Sequence, residues 1–370
     1  MTDQNRRDGG KNPDRPPSSE YPDLSRLIVS WYRENRRRLP WREEVSPYRT
    51  LLSEIMLQQT RVEAVKPYFE RFLAAFPDIP SLADADDELL MKKWEGLGYY
   101  SRARNLKKCA REIVDRFGGV IPSTLSDLLS LPGIGPYTAG AIAAFAYGRP
   151  VAAVDGNVLR VTARITAETG DILTPPVKGR LTDFVSSLVP DGEASDFGQG
   201  LIELGALVCL PNQPPRCDAC PVRALCRAHE RGLAETLPVR GKKPARKIDP
   251  RTVLLVRSGT RTLLSKRPAR GLLAGLWEFP NFSGTLSEKE ALDAVRALGL
   301  EPIRLRPLDP AKHLFTHIEW RMTGYLVLVA EPDSPLPDGF VMPETDDLLA
   351  RYAIPSAFAA YTRHLKAPLP

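Results

Sequence analysis

The sequence predicts two domains of different fold class, an all-α domain over residues 23–232 and an α+β domain over residues 251–370. A length of 370 residues exceeds what one ordinary hydrophobic core accommodates. Apolar residues recur with helical spacing before about residue 250, and runs typical of strands follow it. The stretch between the two patterns ends in LPVRGKKPARKIDP, which is rich in proline and basic residues. We therefore expect a linker at residues 233–250, which can also lie along phosphates.

Composition and charge predict a globular protein without a membrane span or a signal peptide. The chain is 43% hydrophobic and 26% charged, as is typical of a globular protein. No apolar run approaches the roughly 18 residues of a membrane span. Residues 1–22 lack the apolar core of a signal peptide, so we expect a disordered tail there. The net charge of +6 suits a polyanionic partner without establishing one.

Helical periodicity predicts the elements of the first domain in order. The predicted helices cover residues 24–38, a segment starting at Pro47, 62–76, 86–94, 101–117, 125–131, 137–147, a segment after Asp155, and two segments within 176–207. Gly96-Leu-Gly-Tyr-Tyr100 interrupts this series. Two glycines and two aromatic residues in a loop indicate either a stacking platform or a packed turn.

A candidate acid lies on the helix that starts at Pro47. The apolar face of this helix is formed by Leu51, Leu52, Ile55 and Met56. Glu54 and Gln58 fall together at the edge of that face, where partial burial would raise the pKa of the Glu54 carboxyl and suit a general acid. The alternative is a surface salt bridge. Gln59 points toward the apolar face, so either the helix has ended or this amide has an unusual partner.

The stretch from residue 131 to residue 161 combines a turn with a second candidate carboxylate. Leu131-Pro-Gly-Ile-Gly135 separates two helical patterns, and Gly133 and Gly135 let backbone N–H groups face outward where the next helix begins. Such a turn is either a phosphate-binding nest or a plain helix–helix connection. Residues 137–147 are small and apolar, which predicts a buried helix. Asp155 precedes a further helix, as a catalytic carboxylate, as its N-cap, or as both.

Four cysteines predict a metal centre. Cys209, Cys217, Cys220 and Cys226 are separated by seven, two and five residues. Thiolates so close together in a reducing compartment are ligands for zinc or for an iron–sulfur cluster, and their spacing alone does not decide between the two. The alternative is a chance cluster or disulfide bonds. Cys109 stands apart and is expected to be a small buried side chain.

The second domain carries the strand patterns. Predicted strands cover residues 252–257, 262–266 and 322–330, and predicted helices cover residues 287–298 and 355–365. Trp277, Glu278 and Phe279 are expected in a strand and in the core.

Five motifs together resemble one family. They are Leu39-Pro-Trp-Arg42, Ser53-Glu-Ile-Met-Leu-Gln-Gln-Thr60, Gly96-Leu-Gly-Tyr-Tyr100, Leu131-Pro-Gly-Ile-Gly-Pro-Tyr-Thr138 and Val154-Asp-Gly-Asn157. With the cysteine cluster, they resemble the endonuclease III superfamily of helix-hairpin-helix DNA glycosylases, and most closely its MutY-type adenine DNA glycosylases. The resemblance implies a helix-hairpin-helix glycosylase domain with an iron–sulfur loop, followed by a Nudix-like domain.

The resemblance also implies roles for individual residues. Glu54 would protonate N7 of adenine and Asp155 would stabilise the positive sugar, with support from Tyr137 and Asn157. Contacts with DNA are expected from Arg42 and Gln199 at the flipped adenine, Gln59 as a wedge with Gln58 beside it, Tyr99 or Tyr100 at the partner base, and Gly133 and Gly135 at the backbone. The four cysteines would hold a 4Fe-4S cluster, although the family's first gap is six residues rather than seven.

Two further implications concern the type of reaction. Strand-cutting members carry a lysine where this chain has Tyr137, and a tyrosine cannot form a Schiff base. In the second domain, Phe315-Thr316-His317 matches a loop that reads 8-oxoguanine, with His313 nearby. If Gly299 aligns with the last glycine of the Nudix motif, Arg296 and Ala297 replace its glutamates, so nucleotide hydrolysis is not expected.

The expected protein is a monomeric, cytoplasmic bacterial enzyme of base excision repair. It would remove adenine from double-stranded DNA containing A:8-oxoG or A:G and leave an abasic site. One alternative is a strand-cutting glycosylase for oxidised pyrimidines, against which Tyr137 and the second domain argue. The other is a non-catalytic DNA-binding or redox-sensing module, against which the pair of Glu54 and Asp155 argues.

Overall fold

The computed structural model describes residues 18–241 and 244–366. Its α-helices are α1 (Leu24–Asn35), α2 (Pro40–Glu43), α3 (Pro47–Leu57), α4 (Val62–Ala75), α5 (Ile79–Ala83), α6 (Asp87–Trp94), α7 (Ser101–Phe117), α8 (Leu125–Leu129), α9 (Pro136–Ala141), α10 (Gly156–Thr166), α11 (Pro175–Ser186), α12 (Ala194–Leu207), α13 (Arg227–Glu230), α14 (Glu288–Arg296), α15 (Thr345–Arg351) and α16 (Ala359–Thr362). The strands are β1 (Lys247–Ser258), β2 (Arg261–Thr262), β3 (Leu264–Lys266), β4 (Trp277–Glu278), β5 (Asn281–Ser283), β6 (Pro302–Leu314), β7 (Ile318–Val329) and β8 (Phe340–Val341).

The structure describes only part of the predicted tail, and it assigns part of the predicted linker to a strand. Residues 1–17 of the predicted tail lie outside the described residues, and Ser18–Glu20 form a short 3-10 helix. β1 begins at Lys247, so the last four residues of the predicted linker belong to a strand. Within the two described ranges, no helix has the length and apolar character needed to cross a membrane.

The chain forms two compact units that do not follow its order. One unit joins Met1–Gln59 to Cys109–Lys242, and the other joins Thr60–Lys108 to Lys243–Pro370. Contacts within the chain thus group residues 60–108 with the C-terminal part. The sequence instead predicts one continuous helical domain over residues 23–232, and that division stays a prediction.

In the first unit, α12 packs against both α1 and α10. Ile28 of α1, Val161 of α10 and Leu201 of α12 are buried in one apolar cluster. Close approach of α12 to α10 depends on Gly205, because a Cβ atom at this position would lie 2.8 Å from Cβ of Asn157. This contact brings α12 against the start of α10, where the predicted Asp155 site lies.

The turn of the predicted helix-hairpin-helix connects α8 to α9. Gly133 has φ +78°, a left-handed conformation that favours glycine. The predicted buried helix over residues 137–147 begins as α9 and continues as a π-helical turn, Ile142–Ala146. A Cβ atom on Gly140 would lie 2.5 Å from the carbonyl oxygen of Ala152, so this small apolar segment packs as closely as its composition predicts.

The second unit contains a mixed sheet in the order β2-β1-β7-β6, with β5 also paired to β1. β1 and β7 are parallel, β6 and β7 form an antiparallel hairpin, and β4-β3-β8 form a smaller sheet. Alternate residues of β1 are buried on opposite faces of the sheet, Val253 and Leu255 in one apolar cluster and Leu254 and Val256 in another. The predicted strands are present, with residues 262–266 divided between β2 and β3.

Several elements of the second unit are absent from the sequence prediction, and the longest of them are β6 and α15. β6 contains Pro302, Pro307 and Pro310, and proline normally argues against a strand. The prolines are accommodated because β6 lies at the edge of the sheet. The register between β6 and β7 also shifts at Pro302/Arg304 and at Leu308/Ala311.

Candidate active site

Glu54 is buried and hydrogen-bonded. It lies in the last two turns of α3, with 8% of its surface exposed, and its Oε2 accepts a hydrogen bond of 2.6 Å from the Tyr137 hydroxyl. Burial raises the pKa of Glu54 to about 7, and the negative charge of Asp155 adds to the rise. The hydrogen bond from Tyr137 and the charge of Arg42 oppose it. The alternative of a surface salt bridge for Glu54 is wrong, and the group can act as an acid near neutral pH.

Asp155 is the N-cap of α10. Its Oδ1 accepts from the backbone N–H groups of Asn157 and Val158, each at 2.8 Å, and its Oδ2 accepts from Nδ2 of Asn157 at 2.7 Å. Burial raises the pKa of Asp155, while these three hydrogen bonds and the charge of Arg160 act in the opposite direction. The capping role and a catalytic role are therefore compatible, because the hydrogen bonds that cap the helix also stabilise the carboxylate.

Tyr137 and Thr138 connect α9 to α3. Burial and the charge of Glu54 raise the pKa of Tyr137 well above 10, so its hydroxyl stays protonated and donates to Glu54. One residue further, the Thr138 hydroxyl accepts from Nε2 of Gln58 at 3.4 Å. The edge of α3 that the sequence predicts to be functional thus faces the helix that follows the hairpin turn.

Arg42 binds Gln199 and also Glu203, a carboxylate that the sequence analysis does not single out. Nε of Arg42 donates to Oε1 of Gln199 at 2.9 Å, and Nε2 of Gln199 donates to the Ser195 hydroxyl at 3.1 Å. Nη2 of Arg42 also contacts Oε2 of Glu203 at 3.1 Å, and Glu203 is 0% exposed. The amide of Gln199 is therefore fixed in one orientation, with its oxygen toward Arg42.

Glu203 also binds Arg37 through both carboxylate oxygens and through the Arg37 backbone N–H. Although burial acts in the opposite direction, these hydrogen bonds and the charge of Arg42 lower the pKa of Glu203 to about 2. The only sequence signal for this group is a lone carboxylate between apolar residues in Leu201-Ile-Glu-Leu204.

Gln59 lies just beyond α3. The helix ends at Leu57, so the first of the two predicted explanations for this amide is correct. Gln59 has φ +59° and is exposed. A residue other than glycine in this conformation costs on the order of 1 kcal/mol, and such strain clusters at functional sites.

Tyr99 and Tyr100 differ in accessibility. Tyr99 is 45% exposed and has φ +46°, whereas Tyr100 is 4% exposed and its hydroxyl accepts from the N–H of Gly96. Of the two aromatic residues expected beside a partner base, only Tyr99 presents its ring to solvent. The loop is therefore a packed turn that leaves the Tyr99 ring exposed, and its role as a stacking platform stays a prediction.

The hairpin turn presents the start of α9. Gly135 is the N-cap of this helix and provides no side chain to cap it, and Pro136 occupies the first helical position. The N–H of Ile134 is used within the turn, by the carbonyl of Leu131. A helix N-terminus without a side-chain cap suits an anion, as the turn motif predicts.

The four clustered cysteines line one cavity together with apolar residues such as Val161, Ile165 and Leu204. Nη1 of Arg164 lies 3.2 Å from Sγ of Cys209. Sulfur donors of this kind are the ligands of metal–thiolate centres, but the described residues contain no group of three or more side chains placed to hold a metal ion, so the metal centre stays a prediction. The loop between Cys209 and Cys217 is closed at its base by a hydrogen bond from the Arg216 N–H to the carbonyl of Val208. Residues 211–214 within this loop are exposed. The extra residue thus bulges outward, as expected.

Phe315-Thr316-His317 is the tip of the β6–β7 hairpin. Phe315 packs edge-on against Trp320 and His313, with ring centroids 4.9 and 4.6 Å apart. Thr316 and His317 are exposed, and the Thr316 hydroxyl lies 3.5 Å from the Tyr99 hydroxyl. The tip and Gly98–Ser101 line the same cavity of the second unit.

Two family models match the chain, and a relative matches most of it. The HhH-GPD superfamily base excision DNA repair protein model matches residues 52–185, and the NUDIX domain model matches residues 252–364. The adenine DNA glycosylase of Mus musculus is 37% identical over 371 residues, covering 84% of this chain and 72% of the relative. The chain belongs to the adenine DNA glycosylase family. It is accordingly a DNA N-glycosylase with a helical HhH-GPD domain and a Nudix-like domain.

Solved structures agree with this fold for the helical part of the glycosylase. A thermostable thymine-DNA glycosylase is 30% identical, with a TM-score of 0.54 over 58% of this chain and 98% of its own. An endonuclease III–DNA complex matches with a TM-score of 0.50 over 59% of this chain and 99% of its own, at 21% identity, and this likeness concerns the fold. The endonuclease III and MutY families generally carry a 4Fe-4S cluster.

Proposed function

We propose that this glycosylase removes adenine paired with 8-oxoguanine or guanine in double-stranded DNA and leaves an abasic site. The observation that carries the proposal is the pair formed by Glu54 and Tyr137. A buried carboxyl with a pKa of about 7 is an acid poised at neutral pH, and its hydrogen-bond partner is a tyrosine rather than an amine. The chain's similarity to adenine DNA glycosylases supports adenine as the base.

The chemistry divides between two carboxyl groups. The target base must first leave the duplex, because its glycosidic bond is inaccessible within the stack. Glu54 would then donate its proton to N7 of adenine, so that the base departs neutral as the bond to C1′ breaks. Asp155, stabilised by three hydrogen bonds, would remain ionised and face the positive charge that develops on the sugar. Water would then add to C1′ and give up a proton to the Glu54 carboxylate, which restores the acid.

Recognition of the base would involve Arg42 and Gln199. The Arg42–Gln199 hydrogen bond fixes which end of the amide faces Arg42, and Ser195 fixes the other end. A pre-oriented amide loses little conformational freedom when a base edge binds. Asn157 would act through Asp155, because its Nδ2 donates to Oδ2 of that carboxylate.

The absence of strand cleavage follows from the side chain at position 137. Strand-cutting relatives form a Schiff base between the abasic sugar and a lysine amine in the hairpin. Tyr137 has no amine, and its high pKa keeps the hydroxyl neutral and bound to Glu54. We expect the DNA strand to stay whole until alkali or another enzyme cleaves it.

The remaining site residues would hold the DNA and the cluster. Gln58, Gln59, Gly133 and Gly135 are proposed to contact DNA near the extruded base, and Tyr99 with Phe315-Thr316-His317 is proposed to read 8-oxoguanine. Cys209, Cys217, Cys220 and Cys226 would hold a 4Fe-4S cluster, which would tie their loop to α10 through the contact of Arg164 with Cys209. We propose that the enzyme acts as a monomer on DNA in the cytoplasm.

Single-turnover excision on four duplexes tests the proposal. The duplexes contain A:8-oxoG, A:G, T:G or an oxidised pyrimidine, and each is analysed with and without alkali. We expect excision of adenine only, with strand breaks only after alkali, and no covalent adduct on borohydride reduction. Thymine excision as fast as adenine excision would favour the activity named for the thymine-DNA glycosylase, and a borohydride adduct would refute the monofunctional reaction.

A further inference from the structure

The tip of the β6–β7 hairpin is held by the end of the linker. Nε of Arg246 donates to the carbonyl oxygen of Phe315 at 2.8 Å. The backbone N–H of the next residue, Lys247, donates to the carbonyl oxygen of His317 at 3.0 Å. Arg246, which precedes β1, and Lys247, the first residue of β1, thus bind two of the three carbonyls of the tip.

The root of the tip is rigid for a separate reason. The Phe315 ring contacts Trp320, which is 1% exposed, and the Arg251 guanidinium lies over the Trp320 ring at 4.9 Å. The N–H of Phe315 closes the hairpin by donating to the carbonyl of Ile318 at 2.8 Å. These contacts fix the Phe315 side chain and its N–H. The peptide group between Phe315 and Thr316 is held separately, by the hydrogen bond from Arg246.

That peptide group sets the direction of the exposed side chains. Rotation about ψ of Phe315 moves its carbonyl and the Cα of Thr316 together, so a partner that holds the carbonyl also orients Thr316 and the residue after it. A charged donor to a carbonyl oxygen is stronger than a neutral one, which makes a guanidinium effective in this position. The Thr316 hydroxyl lies beside Tyr99 in this arrangement.

We infer that Arg246 is a positioning residue for recognition of the base opposite the adenine. The inference rests on the proposed function, in which this tip reads 8-oxoguanine. The general expectation for a basic linker residue is a phosphate contact, which would strengthen binding to every duplex equally. Arg246 acts instead through the Phe315 carbonyl, and its effect falls on the choice between 8-oxoguanine and guanine.

Adjacent alanine variants separate these two roles. Arg246→Ala and Lys247→Ala each remove one positive charge from neighbouring positions, but Lys247→Ala keeps the backbone N–H that binds His317. Arg246→Lys keeps the charge and removes the planar Nε–H donor. His317→Ala, which alters the tip itself, is the positive control for lost selectivity. The measurements are single-turnover excision of adenine from A:8-oxoG and A:G duplexes, and the salt dependence of duplex binding.

We expect Arg246→Ala to lower the ratio of the two excision rates roughly fivefold, the factor typical of one lost hydrogen bond. Arg246→Lys should lower the ratio as well, Lys247→Ala should leave it at the wild-type value, and the salt dependence of Arg246→Ala should match that of the wild type. The inference is overturned if Arg246→Ala slows both reactions equally, if its salt dependence weakens by one phosphate contact, or if both alanine variants change the ratio alike. Failure of the wild type to excise adenine from either duplex would instead refute the proposed function.

Discussion

Replacing Glu54 with glutamine should make the protein more stable at alkaline pH while abolishing excision. Glutamine keeps the size of the side chain and an oxygen that can accept from the Tyr137 hydroxyl. It removes the proton that the proposed reaction uses, and it removes the charge that burial penalises. The same buried position therefore has opposite consequences for catalysis and for stability.

The magnitude follows from the pKa of Glu54. Its value rises from 4.5 to about 7 on folding, so the folded state binds the proton more tightly than the unfolded state does. This contribution to stability is complete below pH 4.5 and is lost as the pH rises through 7. The rise corresponds to about 3 kcal/mol. Glutamine escapes the loss, so the free energies of unfolding of the variant and the wild type should be similar near pH 4 and differ by about 3 kcal/mol near pH 8.

Urea denaturation at these two pH values measures the difference, and single-turnover excision of adenine measures the activity. Glu70→Gln is the charge-matched control, because Glu70 is exposed and lies on α4. The reasoning is refuted if Glu54→Gln is no more stable than the wild type near pH 8, or if the same gain appears near pH 4. Excision by the variant at the wild-type rate would remove Glu54 from the role of acid.

Three further outcomes are expected. Tyr137→Phe removes a hydrogen bond that lowers the pKa of Glu54, so this pKa should rise. The excision rate of the variant should therefore decline at a pH up to about one unit higher than the rate of the wild type does. An unchanged pH–rate profile would contradict this coupling. The pKa of Glu203 is about 2 rather than 4.5, so its contribution to stability is present above pH 4.5 and is lost as the pH falls through 2. Glu203→Gln should thus lower the free energy of unfolding at pH 7 by about 3 kcal/mol in urea denaturation, with a smaller difference toward pH 3, and equal stability at pH 7 would argue against a charged Glu203. Cys217→Ser should lose the visible absorption and the iron of the wild-type protein by elemental analysis, and a wild type that contains zinc would refute the cluster.

Where the determining interactions are local, the sequence was sufficient. Asp155 caps the helix that follows it, and the end of α3 before Gln59 was one of two predicted explanations for that amide. The edge position of Glu54 was predicted from helical spacing, although spacing could not distinguish a buried acid from a surface salt bridge. That decision depends on Tyr137, which is 83 positions away in the chain.

Where the partners are remote, the sequence contains little indication of them. Glu203 pairs with Arg37 and Arg42 across 166 and 161 positions, and no local pattern links the three. Tyr99 has φ +46° and is exposed, whereas the Tyr100 hydroxyl accepts from the N–H of Gly96 and its ring is buried, and no local pattern distinguishes the two. β6 was missed because its prolines are compatible with a strand only at the edge of a sheet, and the position of a strand in its sheet is a property of the tertiary structure.

The grouping of residues 60–108 with the C-terminal part has a consequence for biosynthesis. Lys92 and Glu95 of this segment bind the backbone of Tyr352 and Ile354, and Arg104 binds the carbonyl of Ala274. These partners leave the ribosome well over one hundred residues later, which takes on the order of 10 s at elongation rates of roughly 5–20 residues per second. During that interval the helices of residues 60–108 emerge before the C-terminal segments that they contact. The nascent chain must therefore pass through a stage in which this surface is exposed.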